Sequence, residues 1–154
     1  MFSHSFFRIG RVALLAIATS LCSFPASAAP APETLLAQGR VDDAISSLQT
    51  KLSNAPDDAH GYNLLCRAYF IVDNWEASAK ACEKAVSLQP SNSDFHLWLG
   101  RVYGEKASHA HFLSAMGLAK KTRSEFETAV RLDPNNVEAR ADLAEFYVEA
   151  PGIV

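Results

Sequence analysis

The stretch AVSLQPSNSD, residues 85–94, returns as AVRLDPNNVE at residues 129–138, and a fainter relative, KLSNAPDDAH, occupies residues 51–60. In each copy a helix-like run stops at a proline, and an Asx residue follows two positions later: Asp58 after Pro56, Asn92 after Pro90 and Asn136 after Pro134. Proline does not continue a helix, and an Asx side chain at the start of the next one accepts from its free first-turn amides. Each copy therefore reads as one helix ending and the next beginning. The spacing is unequal, 34 residues from Pro56 to Pro90 and 44 from Pro90 to Pro134.

Between the prolines the apolar residues keep a helical period. Tyr62, Leu65 and Tyr69 recur at three- and four-residue spacing, as do Ala79, Cys82 and Val86, so each run buries one stripe. Asp73-Asn74 interrupts the first run, and strand-like alternation is absent. The unit is helix, turn, helix, stop.

This unit resembles the tetratricopeptide repeat, in which an aromatic, Leu-Gly, Tyr, Ala, Phe and Pro recur over a fixed period. One copy spans residues 59–92, with Tyr62, Leu65, Cys66 and Tyr69 on its first helix and Ser78, Cys82, Ala85 and Pro90 on its second. The next, residues 93–136, gives His96, Leu99, Gly100 and Tyr103, then Thr122, Phe126, Ala129 and Pro134 after a gap. A partial repeat (33–58, with Ala44, Leu48 and Pro56) precedes them, and a half repeat (137–154, with Arg140, Leu143, Ala144 and Tyr147) follows. The resemblance implies an all-α solenoid of stacked helical hairpins whose first helices line a concave surface. Cys66, Gly100 and Ala144 fall in the small-residue slot that lets paired backbones approach.

The repeat phase places the ten extra residues of the third hairpin near residues 107–116, ASHAHFLSAM, a helix-compatible text without Gly or Pro. Shared equally, they add about five residues, or roughly 7 Å, to each helix. The expected tip, residues 108–111, carries His109 and His111. Histidines two apart on an extended loop offer a metal reading, but no Cys, Asp or Glu in the tip completes a site, so contact with a partner is the stronger reading.

The N-terminus has its own grammar. Arg8 and Arg11 precede an apolar run over residues 12–24, and Ala26-Ser27-Ala28 has the small-x-small pattern of a cleavage site. Residues 1–28 are thus expected to be a secretory signal, with the protein periplasmic or secreted after cleavage near Ala28. All 17 acids and 12 of the 14 Lys and Arg lie beyond it, a net charge of 12 − 17 = −5. That balance argues against nucleic acid and anionic membrane surfaces as partners. No other segment is apolar enough to span a bilayer, so the chain is not read as an integral membrane protein.

Beyond the signal only Cys66 and Cys82 remain, each about eight residues from the Asp73-Asn74 turn and so level across an antiparallel pair. A disulfide and two buried thiols both fit this placement. No phosphate loop, nucleophile elbow or zinc protease motif is present; catalytic residues, cofactors and metals are not expected.

The resemblance implies a non-enzymatic scaffold that binds a peptide or protein along its first helices. Carried over by phase, the concave face comprises Asn63, Arg67 and Phe70, then Asp94, Leu97, Arg101 and Glu105, with Glu138, Ala141 and Glu145 beyond. Asn63, Arg67 and Arg101 are similar in placement to the carboxylate clamp of some family members. An alternative is an assembly or regulatory subunit that docks, or self-associates, through end helices left uncovered.

Overall fold

The computed structural model describes residues 30–149, all of whose regular structure is helical. The signal-like residues 1–28 and the ending 150–154 lie outside them. A short helix α1 (Pro32–Ala37) leads into α2 (Val41–Asn54), followed by α3 (Ala59–Ile71), α4 (Trp75–Leu88), α5 (Ser93–Ser108), α6 (Phe112–Leu132) and α7 (Val137–Glu149). Helices α3 and α4 form one antiparallel hairpin and α5 and α6 the next; α2 packs on the first hairpin and α7 on the second.

The predicted start signals are in place. Asp58 accepts from the Gly61 amide at 2.9 Å, Asn92 from the Asp94 and Phe95 amides at 3.0 and 3.3 Å, and Asn136 from the Ala139 amide at 3.0 Å. Inside the first hairpin Asn74 caps α4 through the Ala77 amide, and Asp73 before it takes a φ of 56°, the left-handed turn that Asx tolerates. Four helix starts are therefore satisfied by one type of side chain.

Close approach within each hairpin comes from the small slot. At Gly100 an added β-carbon would stand 2.5 Å from two ring carbons of Phe126 on α6, so the glycine is what admits the ring. In the first hairpin Cys66 fills that slot, its α-carbon 5.2 Å from that of Cys82, and the two sulfurs are joined as a disulfide. Beside it, the buried Ser78 hydroxyl donates to the Cys66 carbonyl at 2.9 Å. Leu65, Leu99, Val102 and Tyr103 complete a core that runs from α2 to α5, and Leu97, Phe126 and Ala139 carry it on to α7.

The stacking of hairpin on hairpin repeats a bond that the sequence reading missed. Tyr69 accepts from Gln49, Tyr103 donates to Glu83 and Tyr147 donates to Glu127, each at 2.8 Å and each across 20 residues. A first-helix tyrosine thus reaches the previous second helix at all three junctions. The extra ten residues do not disturb this, because they lie at the α5–α6 tip, between Tyr103 and Glu127 and so outside the span of every one of these bonds.

Those residues are not shared equally. Helix α5 has 16 residues against 13 in α3, and α6 has 21 against 14 in α4, so three go to the first helix and seven to the second. Helix α5 is stopped by His109, whose Nδ1 donates to the Glu105 carbonyl at 2.8 Å while its ring stacks on Trp75 of the preceding hairpin. The surplus is left to α6, lengthened by roughly 10 Å. Its first turn is bare: Phe112 is 77% and Leu113 84% exposed.

A partly buried ion pair ties the long hairpin together. His96, at the position of the repeat's first aromatic, places Nδ1 2.6 Å from Glu125 and Nε2 2.9 Å from the Pro90 carbonyl. With both nitrogens facing acceptors, the doubly protonated ring is favoured; the bond to Glu125 raises its pKa above the ordinary 6.5, against the opposing effect of burial. The stability this adds is complete below pH 6.5 and is lost as pH rises through the elevated folded value.

Two measurements follow. The urea midpoint should fall as pH is raised from about 6 to about 8, and His96→Gln should flatten that slope; a midpoint that rises over this range contradicts the pairing. Thiol titration of the oxidised, unfolded chain beginning at Ala29 should find no free thiol, whereas two would show that Cys66 and Cys82 are not bonded.

Candidate functional site

Helices α3, α5 and α7 lie along one side of the stack, and their polar stripes form its inner surface. At its centre is Trp98 of α5. The guanidinium of Arg67 stands 4.9 Å from the Trp98 ring centroid and that of Arg101 4.7 Å, and Phe70 meets the same ring edge-on at 5.7 Å. A guanidinium within about 6 Å of an indole face is attracted by the ring quadrupole, so these side chains hold one another in place. Arg67, Phe70 and Arg101 are the residues expected here from the repeat phase; Trp98 is not among those expected. The signal was present: Trp98 lies four residues after Asp94 and three before Arg101, hence on the same helical stripe.

Two of the residues expected on this surface are not on it. Asn63 is 4% exposed, with its Nδ2 lacking a partner among the described residues, and Leu97 is 2% exposed against Phe126, Ala129 and Ala139. A stripe set by phase alone is too wide, because the edge nearest the neighbouring helices is covered when hairpins stack. Asp94 is exposed but engaged at the repeat junction, where Asn136 donates to it at 2.9 Å. Arg67 is exposed, Phe70 and Glu105 are half-buried, and Glu138, Ala141 and Glu145 of α7 are exposed.

Charge on this surface departs from a carboxylate clamp. Arg101 donates to Asp142 at 2.6 and 3.3 Å and to Glu138 at 3.0 Å, all from α5 across to α7. Burial works against the Arg101 charge, but these bonds outweigh it and raise its pKa. Its fork is thus already filled by carboxylates of the same chain. Arg67 stands over the Trp98 ring, and Asn63 is buried. The three residues proposed for a ligand carboxylate are therefore not assembled as one.

Next to this cluster an open groove of about 780 Å³ runs between α5, the beginning of α6 and the last turns of α7. Phe70, Trp98, Phe126 and Phe146 give it an aromatic lining; Phe112, Ala115 and Met116 of the lengthened α6 overhang it. Glu105, Asp142, Glu145 and Glu149 stand along its edges. The extra ten residues are what give it a second wall.

Elsewhere the surface offers little chemistry. His109 is taken up by the Glu105 carbonyl and Trp75, and His111 precedes α6 without meeting it in a common site. No group of three His, Cys, Asp or Glu side chains is placed to hold a metal among the described residues. None of the described helices is long and apolar enough to cross a membrane.

Known proteins of the same shape share this architecture. The first tetratricopeptide domain of Spaghetti (RPAP3), solved with the HSP90 peptide SRMEEVD, superposes with a TM-score of 0.68 at 19% identity, over 78% of this chain and 87% of that one. The thermophilic protein TTC0263 of Thermus thermophilus gives 0.71 at 18% identity, over 78% and 62%. The second such domain of human RPAP3, with the HSP70 peptide SGPTIEEVD, gives 0.64 at 20%, over 75% and 88%. No curated protein sequence matches the chain significantly. The tetratricopeptide repeat family profile matches residues 33–93. Residues 33–93 thus match the tetratricopeptide repeat, and the same tyrosine bond at the junction of α7 with the last hairpin continues that helical-hairpin solenoid fold through the described residues.

Proposed function

We propose that this protein is an exported, non-enzymatic scaffold that binds a peptide or protein partner along the inner surface of its helical stack. The observation that carries the reading is the preset cluster of Arg67, Phe70, Trp98 and Arg101 beside an open aromatic groove. Aromatic and Arg side chains held rigid before contact lose little conformational freedom on binding, and they are the residue types that dominate interface energetics. Two proteins of the same fold were solved with short peptides, which supports a peptide as ligand here. Export is supported by the signal-like residues 1–28 and by the cystine, a bond favoured in oxidising compartments.

Selection from a displayed peptide library tests the binding. The chain from Ala29 should enrich ligands whose affinity falls at least about tenfold in a folded Arg67→Ala/Trp98→Leu variant. No enrichment, or equal binding by the variant, contradicts the reading.

A second reading, docking through the end of the stack, is favoured by α7. Its outward side carries Ala144 uncovered and Val137 and Val148 at 73% and 79% exposure, where a further helix of a repeat would lie. Light scattering should then show a dimer at micromolar concentration that Val148→Glu dissolves; a monomer throughout removes the self-association version.

A further inference from the structure

We propose that the groove beside α6 takes a cationic segment, one that carries a bulky apolar side chain between Lys or Arg residues. This rests on the peptide-binding reading above and narrows it to one ligand chemistry.

The carboxylates of Glu105, Glu145 and Glu149 make no hydrogen bond or ion pair with any described side chain, and all three line the groove. Asp142 is the exception, committed to Arg101, and that pair leaves the one basic side chain of the lining neutralised. Three carboxylates without a partner among the described residues therefore line an apolar trough. A trough with low-dielectric walls focuses the potential of its edge charges and attracts groups of opposite sign. An acidic peptide would meet like charges on three sides, which is costly to desolvate. SRMEEVD and SGPTIEEVD, the peptides of the RPAP3 domains, are acid-rich and so differ in sign from the segment proposed here.

The floor sets the other half of the ligand. Phe126, 5% exposed, and Phe146 line the trough, together with Phe112 and Met116 at 77% and 39% exposure. Large apolar side chains left open to water beside a concavity are covered favourably by an apolar group of the ligand. Met116 adapts to shape, as an unbranched thioether does. The wall they form comes from the seven residues by which α6 exceeds α4, so the specificity belongs to the insertion.

Two capped peptides test the assignment by fluorescence anisotropy: one with Leu-Phe between two Lys-Arg pairs, the other with Glu at all four basic positions. The basic peptide should bind at least about tenfold tighter at 50 mM salt and lose that advantage near 0.5 M, as screening requires. Glu105→Gln/Glu145→Gln, which breaks no contact of the fold, should weaken the basic peptide about tenfold, and Phe112→Ser should weaken it without altering the salt dependence. Equal or tighter binding of the acidic peptide overturns the ligand chemistry while leaving peptide binding intact. If neither peptide binds, the cationic assignment fails, while the peptide-binding reading is decided by the library selection. Dimerisation abolished by Phe112→Ser, with no peptide bound, would assign the groove to a second copy instead.

Discussion

The rest of the structure depends on how closely two antiparallel helices can lie. In the long hairpin the Gly100 backbone takes the Phe126 ring against it, where a β-carbon would be within 2.5 Å of two ring atoms. In the shorter one the same place is held by Cys66, bonded to Cys82, with Ser78 donating across to the Cys66 carbonyl. Close packing of this kind leaves few voids and makes the pair a rigid slab whose outer faces are still apolar. Stacking then follows, because neither slab can cover its own faces.

Stacking in turn fixes what can be functional. Tyrosines of successive first helices reach back 20 residues to Gln49, Glu83 and Glu127, so the inner stripes of α3, α5 and α7 come into line whatever happens at the hairpin tips. That alignment is what carries Arg101 of α5 to Asp142 and Glu138 of α7, and Arg67 of α3 to the face of Trp98. The tips are free to vary. Here one has lengthened, and the overhang of α6 has turned an open surface into a trough.

Much of this was legible in the sequence, for identifiable reasons. The prolines with their Asx partners are local signals, and the caps at Asp58, Asn92 and Asn136 needed nothing beyond the first helical turn. The helical period and the repeat phase gave the hairpins in the same way. What failed was tertiary. Asn63 and Leu97 have the phase of a surface stripe, but neighbouring hairpins cover them, and periodicity does not report the width of that cover. Neither does it report that Arg101 spends its charge on Asp142, 41 residues away. The division of the ten inserted residues was likewise invisible, since it depends on His109 meeting Trp75 in another hairpin.

The close approach of α5 and α6 can be measured by itself in a double-mutant cycle that combines Gly100→Ala with Phe126→Val. If the ring occupies the space above Gly100, the alanine should cost about 1 to 3 kcal/mol in the native background, and less than about 0.5 kcal/mol once the ring has been removed. An equal cost in both backgrounds would mean that Phe126 does not lie there, and the packing on which the stack is built would be wrong.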